Sequence, residues 1–192
     1  NQLVLDPACG TGGFLIAAMN RVIEKIRAGE IDRWGGDLTL FRNAKLLMGS
    51  NFVVRTETFR RLGGFDEKFG AGAYWGSGEE TDFAWKAHFA HVPMAYRPEL
   101  VVHHVRPYAG SLADSCRKGF RYGVGKGALV SKWLLERRRL VVLMEMLEML
   151  FIPVVQIVAD FLRGRWRNLP VYPCVLAGRV LGFLRRMAGE GR

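Results

Sequence analysis

The sequence predicts an α/β fold that passes into a basic, apolar, helical C-terminal tail. Three observations predict it. A strand, a glycine-rich turn and a helix follow one another within residues 1–28. Between residues 49 and 104, short β-like apolar runs alternate with helix starts and glycine turns. From residue 140 onward, long apolar runs lie between arginine clusters. At 192 residues the chain is long enough for a domain with a sizeable core.

The net charge of +10 is unevenly spread. Residues 1–110 carry 13 Lys and Arg against 12 Asp and Glu, whereas residues 111–192 carry 15 against 6. The basic character belongs to the tail, which suits an anionic partner. The three cysteines, Cys9, Cys116 and Cys174, are scattered. Such spacing argues against a disulfide framework and a structural zinc site, and for a reducing compartment. No signal-peptide pattern opens the chain. It starts with Asn, which reads as a fragment or a processed product.

Taken in order, Leu3, Val4 and Leu5 are a buried-strand signal ending at Asp6. Residues 7–13 are a tight glycine-rich turn, and a helix follows with Phe14, Ala17, Ala18, Val22 and Ile26 near one face. Such a unit can cradle a cofactor, because glycines admit close backbone approach and a helix N-terminus adds positive potential. Gly29, Gly35 and Gly36 break the chain before residue 49. A short β-like run over residues 51–55 then leads into a helix start at Thr56, and Gly63-Gly64 ends that helix. A glycine-rich loop over 70–78 delivers the acidic cluster Glu79, Glu80 and Asp82 to the mouth of an apolar helix. Ser77 as N-cap with Glu80 three residues later fits a capping box, so these acids could serve only to start a helix. Tyr74 and Trp75 sit in the loop, either as sugar-stacking rings or as a lid over the core, and Trp85 reads as core. A last strand, 100–102, ends in His103 and His104.

The strings GSNFVVR (49–55), GGFDE (63–67), GAG (70–72), GSGEETD (76–82), YRPE (96–99) and His104 together resemble the C-terminal half of a family-2 glycosyltransferase of the GT-A type. The resemblance implies a partial GT-A, Rossmann-like domain over residues 38–135. It implies inverting transfer of a sugar from a nucleotide-sugar donor to an acceptor hydroxyl, on a sugar or a lipid-linked acceptor. Glu80 matches the position of the catalytic base, with Glu79 and Asp82 beside it. His104 matches a metal ligand, and the metal implied is Mn or Mg. The Asp-x-Asp pair of such enzymes occurs nowhere in the chain.

The string DPACGTGGFLIAA resembles the S-adenosylmethionine loop of N6-adenine DNA methylases, above all the type I restriction-modification subunit. Asp6, Gly10, Gly12 and Gly13 are the cofactor-binding residues so implied. The methylases also need an Asn/Asp-Pro-Pro-Tyr/Phe clamp, and no Pro-Pro dipeptide occurs here. The sequence therefore reads as a chimera: a methylase-like segment and junction at 1–37, a glycosyltransferase catalytic half at 38–135, and a helical tail at 136–192. The alternatives to a glycosyltransferase are a methylase fragment and a non-catalytic fragment.

In the tail, Gly119, Gly123, Gly125 and Gly127 interrupt an aromatic, basic stretch, and the Gly-x-Gly-x-Gly within it is a weak signal for a phosphate loop, since no strand precedes it. The run beyond Arg139 has only 11 consecutive charge-free residues, 149–159, short of the roughly 20 a spanning helix needs. Its flanking arginines, 137–139 and 163, 165 and 167, suit helices lying on the cytoplasmic face of an anionic membrane. A helix pair packed on the catalytic domain explains the same pattern. Nucleic acid is the poorer partner, since apolar density serves no phosphate groove.

The missing Pro-Pro clamp generates a prediction: the purified protein forms no N6-methyladenine in duplex DNA supplied with S-adenosylmethionine. Formation of the methylated base would show that a clamp exists outside the Pro-Pro pattern.

Overall fold

The computed structural model describes the backbone of Leu3–Val4, and residues 52–94 and 111–191. The predicted α/β architecture is overturned. The described residues are mostly helical, and the strand pairing among them is a single antiparallel pair, two residues per strand. Strand β1 (Leu3–Val4) pairs with β2 (Val54–Arg55), with Leu3 opposite Arg55 and Val4 opposite Val54. The strand signals were short apolar runs, which periodicity cannot separate from other buried segments. The strand expected at 100–102 lies outside the described residues.

The chain forms two compact units. The first comprises Asn1–Asp66 and Glu80–Val105. In it, β2 runs into helix α1 (Thr56–Arg61), with Glu57 in its first turn and Arg60 and Arg61 in its last, as the helix dipole favours. Gly63 and Gly64 end the helix with φ of 78° and 64°. The Gly64 N–H donates to the Phe59 carbonyl at 2.9 Å, so the predicted glycine stop is realised. Helix α2 (Glu79–Phe89) buries Phe83, Ala84, Trp85 and Ala87. Phe83 meets Phe52, Phe59 and Phe65, with ring centroids 5.2 to 6.2 Å apart. Edge-on contacts in this cluster contribute beyond their buried area.

The second unit comprises Glu67–Glu79 and Arg106–Arg192. It thus takes in the glycine loop and starts well before residue 136, where the sequence placed the tail. Helix α3 (Leu112–Ser131) opens on a full capping box: the Asp114 N–H donates to the Ser111 hydroxyl, and the Ser111 N–H donates to the Asp114 carboxylate. A π-helical turn, Lys132–Glu136, follows. Helix α4 (Val142–Leu162) carries Pro153 in its interior, and helix α5 (Val171–Met187) starts just after Pro170.

Gly119, Gly123, Gly125 and Gly127 lie inside α3. Each glycine costs about 1 kcal/mol against alanine in a helix, so packing must hold α3 in shape. The packing is visible. A Cβ at Gly123 would collide with the backbone of Val175 and Arg179, and one at Gly127 with the Arg179 carbonyl. From the other side, a Cβ at Gly178 would meet the Phe120 carbonyl, and one at Gly182 the Val124 carbonyl. Spacings of four along both helices put these glycines on facing stripes, where the backbones touch directly. The phosphate-loop reading of Gly123, Gly125 and Gly127 falls with this finding, because these N–H groups lie within a continuous helix.

Gly127→Ala is expected to lower stability by roughly 3 kcal/mol, although helix propensity alone would favour alanine by about 1 kcal/mol. Gly119→Ala should cost less, because its nearest neighbours are methyl ends of Val175 and Val171. Urea midpoints report both, and a stabilised Gly127→Ala would refute the close approach.

Candidate functional site: a glycine loop, an acidic helix start and an uncovered helix face

Within the helical unit, residues 67–79 form a loop of tight turns. The Ala73 N–H donates to the Gly70 carbonyl and the Gly76 N–H to the Ala73 carbonyl, both at 3.1 Å. Gly70, Gly72, Gly76 and Gly78 hold φ between 73° and 110°, a region that residues with side chains rarely adopt. The Trp75 N–H donates to the Lys68 carbonyl at 2.9 Å and closes the loop. Trp75 itself is buried, with Phe69 6.4 Å away and the Lys132 ammonium 5.2 Å from the Phe69 ring centre. Ser77 is buried where a Cβ on Gly125 of α3 would strike it. Its hydroxyl donates to the Tyr122 carbonyl at 3.4 Å.

That contact decides the capping question. The predicted box needs Ser77 turned to the helix start and Glu80 at the third helical position. Ser77 is turned to α3, and α2 begins at Glu79, which puts Glu80 second. Glu79 and Glu80 are both half-exposed. The Glu79 carboxylate lies over Gly70, where a Cβ would sit 3.1 Å from its Cδ. Asp82 differs from both. It is fully buried, and its Oδ2 is 3.2 Å from the Lys86 ammonium, which also donates to the Gly64 carbonyl at 2.9 Å. Asp82 thus holds Lys86 in the first unit and offers no carboxylate to a substrate arriving from solvent.

The two loop aromatics part company. Buried Trp75 cannot stack on a sugar. Exposed Tyr74 is held by the chain's C-terminal turn: its hydroxyl donates to Glu190 at 2.7 Å and accepts from Arg185 at 2.8 Å. Arg185 in turn pairs with Glu190 at 2.6 Å. Beneath it, buried Arg186 makes a two-pronged contact with Glu136, at 2.7 and 2.9 Å, and donates to the Gly191 carbonyl. Nothing in the sequence pattern pairs residue 74 with residues 185–190, so this clasp is legible only in the fold.

A second feature is the outer face of α4. This helix is long and apolar enough to cross a membrane, whereas the sequence reading counted a short charge-free run. Two of its three acids point inward, whereas Glu148 is half-exposed beside Met144, Leu147 and Phe151. Glu145 is buried and accepts from Lys126 of α3 at 2.8 Å. Asp160 is buried and accepts from Tyr172 at 2.7 Å and Asn168 at 2.9 Å. Arg179 of α5 reaches in to donate to the Met149 carbonyl at 2.5 Å. Met144, Leu147, Phe151, Val155 and Val158 are left outside, with Phe151 63 % and Val155 61 % exposed. Arg137, Arg138, Arg139, Arg163, Arg165 and Arg167 are exposed at the two ends. Glu145 and Asp160, fifteen residues apart, fall on nearly one side of a helix, and a helical projection would have found that.

Asp6, Gly10, Gly12, Gly13 and His104 lie outside the described residues. Among the described residues no group of His, Cys, Asp and Glu is placed to hold a metal ion. Comparison with protein-family models, with curated proteins and with solved structures returns no match.

The clasp has a definite pH sense. Hydrogen bonds from Arg185 and Tyr74 hold the Glu190 carboxyl below its ordinary value of 4.5. A depressed carboxyl contributes stability above its unfolded pKa and loses it as pH falls through the folded one. Cleavage by a protease within residues 70–78 should be constant from neutral pH down to about 5 and should rise only below 4.5. Glu190→Gln should show the fast cleavage already at neutral pH.

Proposed function

We propose that the protein carries the C-terminal catalytic half of a membrane-associated, inverting glycosyltransferase, in an incomplete or chimeric chain, whose whole enzyme transfers a sugar from a nucleotide-sugar donor to a sugar or lipid-linked acceptor hydroxyl. The observation that carries the reading is the state of the acidic cluster. After a loop of four left-handed glycines, Glu79 and Glu80 remain half-exposed at a helix start, while Asp82 is buried in an ion pair. A general base must come within about 3 Å of the proton it takes, and only the first two acids are open to a substrate. Glu80 is the base on this reading. Glu79, one residue earlier, points about 100° away around the helix and lies over Gly70. The ordered motifs of residues 49–104 support the same assignment.

The base would take the acceptor proton as the hydroxyl oxygen attacks the anomeric carbon. The carbon–oxygen bond to the nucleoside diphosphate breaks on the opposite face, so the configuration inverts. A divalent metal, where bound, would neutralise the departing diphosphate.

The membrane part of the proposal rests on α4. Its 21 residues extend about 31 Å, close to the thickness of a bilayer's hydrocarbon core. An apolar strip of this size on a soluble surface marks an interaction site. Exposed arginines at both ends would favour anionic lipid headgroups, which supports the cytoplasmic face of a membrane as the proposed location.

With a donor-binding half fused ahead of residue 38, labelled sugar should pass from a panel of nucleotide-sugars to membrane acceptors. Glu80→Gln should lower that rate by about 10² to 10⁴. Transfer at the parent rate by Glu80→Gln would remove Glu80 as the base. Asp82→Ala should instead lower stability by about 3 kcal/mol, by stranding Lys86. In flotation, the protein should rise with anionic liposomes and the double variant Phe151→Asp, Val155→Asp should stay behind. Equal flotation of the two would remove α4 as the membrane contact.

A further inference from the structure

Cys116 lies in the second turn of α3 and Cys174 in the first turn of α5. Sequence spacing set them apart, but the fold brings them to one oxygen. The Pro170 carbonyl accepts from the Cys116 thiol at 3.6 Å and from the Cys174 thiol at 3.3 Å. Both side chains are half-exposed, and both thiols are free. One turn along α3 from Cys116, a Cβ on Gly119 would lie 2.9 Å from the side chain of Val175, the neighbour of Cys174. The helices therefore run close together at this level. A disulfide needs Cα atoms within about 7 Å and side chains that face each other.

We propose that Cys116 and Cys174 form a reversible disulfide that staples α3 to α5, and that a low-molecular-weight disulfide such as oxidised glutathione supplies the oxidation. One thiolate, its proton released to solvent, attacks the small disulfide. That S–S bond breaks, and one small thiolate leaves and takes up a proton. The second cysteine, as thiolate, attacks the mixed disulfide at the protein sulfur and expels the other small thiol. Two protein thiols are oxidised, and one disulfide is reduced to two thiols. The new bond closes the chain across residues 116–174, the segment that contains α4. In a reducing compartment both thiols stay free, so the staple forms only when the thiol pool is oxidised.

Burial, then the hydrogen bond and like charge from Cys174, push the Cys116 thiol above its ordinary value. Exchange needs a thiolate, so the staple should form faster at pH 9 than at pH 7. This inference does not depend on the sugar-transfer reading, and its readout contains no activity.

The test treats the full chain carrying Cys9→Ser with oxidised glutathione, followed by acid quenching, digestion and mass spectrometry. The expected product is a peptide pair joined through Cys116 and Cys174, about 2 Da lighter than the two thiols and separated by dithiothreitol. In 8 M urea the same link should form at least tenfold more slowly, because the fold no longer holds the sulfurs together. Cys116→Ser should stop at a glutathione adduct on Cys174. Stable glutathione adducts on both cysteines of the folded chain, or a link that forms as fast in urea, would overturn the proposal.

Discussion

The helical unit depends on the backbone contact between α3 and α5. Five glycines make it, Gly119, Gly123 and Gly127 on one helix and Gly178 and Gly182 on the other. No side chain fits between the helices at Gly123, Gly127, Gly178 and Gly182, so the spacing is set by the main chains. A fourth glycine of α3, Gly125, faces another way and receives Ser77 of the loop. Helix α3 is thus a bar of bare backbone, gripped by α5 on one side and by the loop on another. Four glycines make it an unfavourable helix by about 4 kcal/mol against alanine, so it stands only when both neighbours are in place. The loop conformation, and with it the presentation of Glu79, follows from the same contact.

On α4, two acids and the apolar side chains of the outer face are placed inside out. The acids of α4 that a soluble helix would turn to water, Glu145 and Asp160, face inward and are met by Lys126, Tyr172 and Asn168. The apolar residues that a soluble helix would turn inward face out. Burying a carboxylate without partners costs several kcal/mol, so these pairings are needed whatever surrounds the outer face. A surrounding of lipid removes the remaining cost, that of holding Phe151, Val155 and their neighbours against water, at about 25 cal/mol for each Å². The arginines at the helix ends keep their charges where headgroups would lie.

Much of the local structure was legible. Gly63-Gly64 does end a helix, Trp85 is core, and the basic tail is helical. The fold class was not legible, because short apolar runs carry the same signal as strands, and among the described residues four pair. The glycine helix was misread for a physical reason. Glycine breaks helices by local propensity, and here a tertiary contact that only glycine permits outweighs propensity. The spacing of four in Gly119, Gly123 and Gly127 was the available signal. In the acidic cluster the resemblance singles out Glu80, with Glu79 and Asp82 beside it, but the pattern does not show which acid is buried. Burial withdraws Asp82 into its pair with Lys86 and leaves Glu79 and Glu80 half-exposed. The Tyr74 clasp joins residues more than a hundred positions apart and leaves no local trace.

On the proposed reading the outer face of α4 meets lipid while Glu145 and Asp160 are held inside the protein and half-exposed Glu148 sits beside Leu147 and Phe151 on that outer face. Nitroxide labels placed singly at residues 144, 147, 151, 155 and 158, with native cysteines replaced by serine, test it in anionic bilayers. A lipid-facing helix gives high accessibility to oxygen and low accessibility to a water-soluble nickel chelate at all five positions. Low accessibility to both is expected at position 149, which is buried. Labels at 151 and 155 that are more open to the nickel chelate than to oxygen would contradict the account.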